Sequence, residues 1–322
     1  MMTDLVNITG EQVRSVLTMR EAIGSMRAAF VAISNKEATV PLRTAIDIPG
    51  HEARALFMPV YVPSLSCIGV KIVSVYPNNS AIHRLPNIHG KILLIGAEDG
   101  VPLCLMDAEY LTAIRTGAAS GVATDLLAVP EAGTLAVFGT GVQALAQVEG
   151  VCTVRKIEKV FVYGREASSS LEFAALLRKD FGLDAEAGGR ADLRKADVVC
   201  TATNSSTPVL DASDIKRGCH INAIGSFKPG MQELPPALVV MADVFVDQLA
   251  AVLSEPGDIL GPLSEGLITA SHIKGELGEI LCGRIGARTD REAITLFKSV
   301  GNAVQDIYAA KFVYDKLNFC KR

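Results

Sequence analysis

The first third of the chain changes from a helical to a strand-like pattern of apolar residues. Thr9, followed by Gln12 three positions later, predicts a capping box that opens a short helix, EQVRSVL. A second helix is predicted from about Met19 to Ser34, because apolar side chains recur there on one face. From Leu42 to Met106, short β-branched runs are separated by Pro, Gly and Asn. These runs predict a mainly antiparallel sheet, with a hairpin turn at GAEDGVP.

The rest of the chain alternates strand and helix patterns. A helical period begins at Asp107, and from Thr134 apolar strands such as LAVFG, VFVYG and HINAIG alternate with helices. Such alternation is typical of parallel strands joined by crossover helices. We therefore predict an α/β fold with a doubly wound parallel sheet over residues 116–300, and a first domain over 1–115. The final segment, 301–322, predicts an amphipathic helix that can return to the first domain.

Composition narrows the class of protein. A chain of 322 residues, 49% of them hydrophobic, is long enough for two such domains. The net charge of -4, without a Lys/Arg-rich run, argues against a general nucleic-acid partner. The seven Cys are scattered and the five His lack zinc-site spacing, so reduced cysteines and no metal site are expected. The longest uncharged stretch, Ala132–Val148, is broken by glycines, so no membrane span is expected. Because the N-terminus lacks a secretory pattern, a cytoplasmic protein is expected.

A glycine-rich turn carries the first chemical signal. Gly139, Gly141 and Ala144 form G-x-G-x-x-A directly after a predicted strand and at the start of a helix. In this context the first glycine permits a tight turn, the second lets the backbone approach a pyrophosphate, and the alanine keeps helix and strand close. The phosphates then meet the N–H groups of the helix N-terminus. A strand-to-helix turn that uses glycines for packing alone is the alternative.

The end of the next strand indicates which dinucleotide is bound. An NAD-selective site places Asp or Glu there to accept from the ribose 2′-hydroxyl, but this chain has Gly164 followed by Arg165. A guanidinium can bind a 2′-phosphate through two parallel hydrogen bonds. NADPH is therefore the expected cofactor. Glu166 leaves NADH possible, because its carboxylate can accept from the ribose.

Three basic residues stand among apolar neighbours in the first domain. Arg43 lies in VPLRTAI, Lys71 in IGVKIVSVY and Arg115 in LTAIRTGAAS. Charges in such surroundings are costly unless they are paired. Each could instead extend its charged head to solvent or pair internally. Together they predict an anion pocket for a small substrate carboxylate.

The chain also resembles the ornithine cyclodeaminase/mu-crystallin family over nearly its full length. The matching stretches are VPLR, GVKIVSVYPNN, LPNIHGKILL, LMDAEYLTAIRTGAASGVAT, FGTGVQA, HINAIGS and KSVGNAVQD. This resemblance implies a Rossmann-type dinucleotide-binding domain inserted into an α+β domain that binds substrate and forms a homodimer. Members include ornithine cyclodeaminases, an alanine dehydrogenase type and reductases of cyclic imino acids.

The resemblance also implies roles for particular residues. The family's carboxylate-binding groups correspond to Arg43, Lys71 and Arg115. Asp306 and His89 lie near these matching segments and are assigned structural roles. The implied dinucleotide contacts are Gly139, Thr140, Gly141, Val142, Gln143, Arg165, Thr201, Thr203 and Val300.

One departure from the family pattern bears on the reaction. Phe227 stands in GSFKPGMQEL where cyclodeaminases and the alanine dehydrogenase type carry Asp. A cyclodeaminase needs a carboxylate there to orient the substrate amine and handle its proton. Phe227 is instead expected to line the substrate pocket and pack against ring methylenes.

The sequence and the resemblance together predict reduction of a cyclic imino acid with NADPH. The expected substrate is Δ1-pyrroline-2-carboxylate, reduced to L-proline, or its six-membered homologue Δ1-piperideine-2-carboxylate. Arg43 and Arg115 would clamp the carboxylate, and Lys71 would orient the substrate or relay a proton. The alternatives are alanine dehydrogenase activity, ornithine cyclodeamination, and a non-catalytic ligand-binding role of the mu-crystallin type.

Overall fold

A computed structural model describes residues 5–41 and 43–317 of the chain. Leu42 of the predicted first sheet segment, and the ends of the predicted first domain, residues 1–4 and 318–322, lie outside the described residues. Contacts along the chain divide it into two compact units, Met1–Arg115 with Asn302–Arg322, and Thr116–Gly301. Within the described part of the chain, no helix is both long and apolar enough to cross a membrane.

The secondary structure consists of fourteen strands and twelve α-helices within the described residues. The strands are Val6–Ile8 (β1), Thr44–Ile48 (β2), Ala53–Val62 (β3), Cys67–Val75 (β4), Ile88–Gly96 (β5), Pro102–Asp107 (β6), Thr134–Phe138 (β7), Lys159–Tyr163 (β8), Ala185–Ala187 (β9), Val198–Thr201 (β10), His220–Ala223 (β11), Asp243–Val246 (β12), Ile273–Glu276 (β13) and Thr295–Lys298 (β14). The helices are Gly10–Val16 (α1), Met19–Ser34 (α2), Asn79–Ile82 (α3), Glu109–Leu127 (α4), Val142–Val154 (α5), Ala167–Phe181 (α6), Arg190–Leu193 (α7), Pro236–Met241 (α8), Leu249–Val252 (α9), Gly257–Ser264 (α10), Leu277–Leu281 (α11) and Ala303–Lys316 (α12).

The first unit is a sheet covered on one face by helices. Its strand order is β1-β6-β5-β4-β3-β2; β1 runs parallel to β6 and the other neighbours are antiparallel. Helices α2 and α12 pack against each other, and α12 also packs on β3, β4 and β5. The predicted capping box at Thr9 and Gln12 is present, and a second one, Thr18 with Glu21, opens α2. The predicted β5–β6 hairpin is confirmed, whereas the pattern did not predict β1.

The second unit is a doubly wound parallel sheet, which confirms the predicted fold class. Within the described residues its strand order is β13-β12-β14-β11-β10-β7-β8-β9, with every pairing parallel. Apolar clusters cover both faces; one includes residues of α5 and α6, and the other residues of α8 and α10. The short strands β9, β13 and β14 were not predicted, because their apolar runs are too brief to stand out.

Helix α4 packs against α5 through direct backbone contact. A Cβ atom at Gly117 would lie 2.1 Å from the carbonyl oxygen of Ala146, and one at Gly150 would lie 2.1 Å from the carbonyl oxygen of Gly117. Only glycine permits such an approach. Helix α5, which follows the glycine turn, is therefore in backbone contact with a helix that is itself largely buried.

Candidate active site

The glycine turn after β7 has the geometry of a phosphate-binding turn. Gly139 adopts φ +108°, and a Cβ there would lie 2.6 Å from the carbonyl oxygen of Ala202. Ala144 is fully buried, which keeps α5 close to the sheet. Gly141 is the N-cap of α5 and provides no side chain to cap the helix, and a Cβ at this position would meet nothing within 4 Å. Open space thus adjoins the first-turn N–H groups, and this cradle fits a dinucleotide pyrophosphate.

The residues predicted next to this turn are accessible. Val142 is 71% exposed, Thr140 is half-buried, and Gln143 is half-buried at the start of α5. Side chains next to a helix N-terminus whose N–H groups adjoin open space can contact an anion bound there. The three side chains therefore remain candidate contacts of the dinucleotide.

The end of β8 carries Gly164 where an acidic side chain would favour NAD(H), and the Ser169 and Ser170 hydroxyls lie against this position. A Cβ at Gly164 would lie 2.4 Å from the Ser169 hydroxyl oxygen and 2.9 Å from that of Ser170, and the Gly164 N–H already donates to the Ser170 oxygen at 2.7 Å. Arg165 is exposed, and its Nη2 donates to Asn204 Oδ1 at 3.3 Å. Glu166 is the exposed N-cap of α6, and its side chain makes no capping hydrogen bond. The strand end therefore presents a guanidinium.

The threonines predicted after β10 are held by a carboxylate that the sequence did not reveal. Thr201 is fully buried and its hydroxyl donates to Glu233 Oε2 at 2.8 Å, while the Thr203 N–H donates to Glu233 Oε1 at 2.6 Å. Phe227 lies after β11 and its side chain is 49% exposed. Val300 is half-buried, and its N–H donates to Asp247 Oδ2 at 3.2 Å.

In the first unit, two of the three predicted basic residues converge on one buried carboxylate. Lys71 is 4% exposed and Arg115 is 7% exposed. Lys71 Nζ donates to Asp306 Oδ1 at 3.0 Å, and Arg115 Nε donates to the same oxygen at 2.9 Å. Arg115 Nη1 also donates to Gln305 Oε1 at 2.9 Å. Asp306 is 0% exposed, and within the described residues its Oδ2 has no hydrogen-bond partner.

Strand register places Arg43 beside this pair. Thr44 pairs with Phe57 and Met58 pairs with Lys71, so Arg43 lies at the level of Met58 and on the same sheet face as Lys71. The charges of Arg115 and Arg43 both act on the Lys71 ammonium. The structure therefore brings the three predicted cations together on the inner face of the first sheet.

Burial sets the acidity of the central lysine. Burial lowers the pKa of Lys71 to about 8, and the charges of Arg115 and Arg43 also lower it. The Asp306 carboxylate opposes this fall through its charge and its hydrogen bond. An ammonium with such a pKa can release a proton near neutral pH and still bind an anion.

Sequence reasoning assigned Asp306 a structural role, whereas the structure places it against both cations. Its position is explained by α12, which packs on β3, β4 and β5 and in which Gln305, Asp306 and Ile307 are all buried. A carboxylate on the buried face of an amphipathic helix is a signal that could have identified it. Within the described residues, no cluster of three His, Cys, Asp or Glu side chains could hold a metal ion.

Comparison with known proteins places these features in a family context. A model of the ornithine cyclodeaminase/mu-crystallin family matches residues 4–320. A Δ1-pyrroline-2-carboxylate reductase of Bacillus cereus is 41% identical over 312 residues, which span 96% of this chain and 95% of that protein.

Two solved structures are similar over nearly the whole chain. Thermococcus litoralis Δ1-pyrroline-2-carboxylate reductase, in complex with NADH and L-proline, has a TM-score of 0.92 and 38% identity, and the match covers 97% of each chain. An archaeal alanine dehydrogenase dimer with bound NAD has a TM-score of 0.90 and 32% identity, with 97% of this chain and 95% of that chain covered.

Proposed function

The chain belongs to the ornithine cyclodeaminase/mu-crystallin family as an NAD(P)H-dependent oxidoreductase acting on a C=N bond, and on this premise we propose that it reduces Δ1-pyrroline-2-carboxylate to L-proline. The observation that carries the proposal is the buried Lys71–Asp306–Arg115 cluster, with Arg43 beside it. Two buried cations that share one carboxylate oxygen have hydrogen-bond donors left for a second carboxylate, which the substrate supplies.

The proposed chemistry needs a hydride and a proton. When bound, a reduced dinucleotide would supply the hydride to the imine carbon, and the imine nitrogen would take the proton, so that C=N would become CH–NH. Arg115 and Arg43 bind the substrate carboxylate and fix the orientation of the ring. Lys71 Nζ gives one hydrogen to Asp306 and keeps two others, one for the carboxylate and one for the imine nitrogen. Its pKa of about 8 suits proton donation near neutral pH.

Ornithine cyclodeamination is disfavoured by the segment after β11. Phe227 provides no carboxylate, and Glu233 in the same segment is fully buried and accepts hydrogen bonds from its own surroundings. Neither side chain can therefore orient a substrate amine. Phe227, half-exposed, is instead available to pack against the apolar ring of an imino acid.

We propose NADPH as the preferred dinucleotide. Arg165 is exposed at the end of β8, and Gly164 provides no carboxylate of the kind that would favour NAD(H). The second unit is the proposed dinucleotide-binding domain, through Gly139, Gly141 and the start of α5.

We also propose that the chain forms a homodimer through the outer face of the first sheet. Strand alternation points one apolar set toward α2 and α12 and a second apolar set away from them. Tyr61 is 39% exposed and Ile72 is 36% exposed on this outer set. Its members are Phe57, Pro59, Tyr61, Ile68, Val70, Ile72, Leu93, Ile95, Leu103 and Leu105. A continuous apolar face of this kind is typical of a subunit interface.

The test is a substrate panel followed by absorbance of the reduced dinucleotide. The purified protein is given NADPH or NADH with Δ1-pyrroline-2-carboxylate, Δ1-piperideine-2-carboxylate, or pyruvate plus ammonium; ornithine is tested for ammonia release. We expect oxidation with the cyclic imines and without added ammonium, and a loss of turnover in Lys71→Met with unchanged NADPH binding. Oxidation that requires pyruvate and ammonium, or ammonia released from ornithine, would overturn the proposal.

A further inference from the structure

A fully buried carboxylate connects the two segments that leave β10 and β11 at the carboxyl edge of the parallel sheet. Glu233 Oε1 accepts from the Thr203 N–H at 2.6 Å. Its Oε2 accepts from the Thr201 hydroxyl at 2.8 Å, from the Gly225 N–H at 2.7 Å and from the Ser226 N–H at 3.3 Å. All four contacts are donors, so the carboxylate acts only as an acceptor.

A buried ion pair holds Glu233 itself in place. Asp258 Oδ1 accepts from the backbone N–H of Glu233 at 2.7 Å and of Leu234 at 3.0 Å, and Asp258 Oδ2 accepts from Lys298 Nζ at 3.0 Å. Lys298, at the end of β14, also donates to the carbonyl of Ala223, at the end of β11. Burial raises the pKa of the Glu233 carboxyl, while the Lys298 charge and the hydrogen-bond donors oppose this. The network thus ties together the ends of three adjacent strands.

The tied segments lie in close contact with each other. A Cβ at Gly225 would lie 2.1 Å from the carbonyl oxygen of Thr203 and 2.4 Å from Glu233 Oε1. The two segments are therefore already in backbone contact, and the Glu233 carboxylate accepts hydrogen bonds from the N–H groups that this contact buries. An unsatisfied buried N–H at this point would open the contact.

We propose that Glu233 is a positioning residue for dinucleotide binding, an inference that rests on the dinucleotide-binding role proposed above. Ligands of open parallel sheets bind beyond the carboxyl ends of the strands, where Thr201 and Thr203 lie. Thr201 itself is fully buried, whereas Thr203 is half-buried. Glu233 holds the Thr201 side chain and the Thr203 backbone, and thereby fixes the segment that a dinucleotide bound at this edge would contact.

The test compares Glu233→Gln with Glu265→Gln, an exposed glutamate of the same unit. In Glu233→Gln, an amide NH2 must face at least one backbone or hydroxyl donor. We expect the Kd for NADPH, measured by fluorescence titration, and the KM for NADPH to rise about tenfold or more, with the KM for the imino acid within twofold. A merely structural role would reduce the active fraction and kcat but leave both KM values unchanged. Glu265→Gln is expected to match the wild type.

A second pair of variants keeps the test decisive if Glu233→Gln does not fold. Thr201→Val removes the buried hydroxyl that donates to Glu233, and Thr201→Ser retains it. We expect weaker NADPH binding in Thr201→Val and near wild-type binding in Thr201→Ser. Unchanged NADPH affinity in Thr201→Val, or in a folded Glu233→Gln, would overturn this inference alone. A wild-type protein that binds neither NADPH nor NADH would overturn the proposed function instead.

Discussion

Replacing Asp306 with Asn tests the charge balance at the centre of the proposed site. The substitution removes the carboxylate whose Oδ1 lies 3.0 Å from Lys71 Nζ and 2.9 Å from Arg115 Nε. With an effective dielectric constant of ~20, a pair of unit charges at the Lys71 distance interacts by about 5 kcal/mol. A net loss of only a quarter of that energy would lower the pKa of Lys71 by about one unit. Because Asp306 raises the pKa of Lys71, its removal lowers that pKa from about 8 toward neutrality or below.

The expected consequence is a displaced pH profile. If protonated Lys71 is required, activity falls as pH rises through its pKa. A decrease of about one unit reduces the protonated fraction at pH 7.5 by about threefold, and the lost hydrogen bonds to Lys71 and Arg115 reduce turnover further.

The assay is the dependence of kcat/KM for Δ1-pyrroline-2-carboxylate on pH, with NADPH at saturation. Asp315→Asn is the matched control, since Asp315 lies on the same helix and pairs with Lys311 at a partly exposed site. The control is expected to keep the wild-type profile. An Asp306→Asn protein with an unchanged alkaline limb and wild-type activity would refute the assigned role of the cluster.

Three further predictions address the cofactor, the core and the assembly. Arg165→Ala is expected to raise the KM for NADPH about tenfold and to leave the KM for NADH nearly unchanged; equal effects on both would argue against a 2′-phosphate contact. Burial lowers the pKa of His220 to about 3, below its ordinary 6.5. The contribution of the neutral His220 side chain to the free energy of unfolding is therefore complete above pH 6.5 and is lost as pH falls toward 3. Between pH 7.5 and pH 5 the free energy of unfolding is expected to decrease by about 2 kcal/mol because of this group. Urea titrations at several pH values should show a steeper decrease in the wild type than in His220→Asn. Val70→Glu, at the centre of the outer sheet face, is expected to yield monomers in light scattering after size exclusion; an unchanged dimer would place the interface elsewhere.

The sequence predicted those features that depend on local pattern. The capping box at Thr9, the bounds of α2 and the strand–glycine turn–helix unit around Gly139 are each encoded within about a dozen residues. The parallel sheet followed from the alternation of strands and helices. Strand β14 was missed although it lies inside the sheet, because TLFK is too short to distinguish from its surroundings.

Features that depend on distant contacts could not be predicted in the same way. Lys71 and Asp306 are 235 positions apart, and only the fold brings them together. Glu233 lies in the same segment as Phe227, which departs from the family pattern. Nothing in this segment indicates that the Glu233 carboxylate accepts a hydrogen bond from a residue as distant in sequence as Thr201. Charged groups that position the residues of a site without facing its ligand are therefore harder to identify from the sequence than those that face it.

The single oxygen of Asp306 that serves both Lys71 and Arg115 has a practical consequence for handling the protein. With Arg43 beside this pair, three cations lie near one carboxylate, so we expect small monovalent anions to bind there. Formate, acetate or chloride at high concentration will raise the melting temperature and compete with the substrate at once. Kinetic constants measured in such buffers will understate the affinity for the imino acid, and a dialysed protein will be both its most fragile and its most active form.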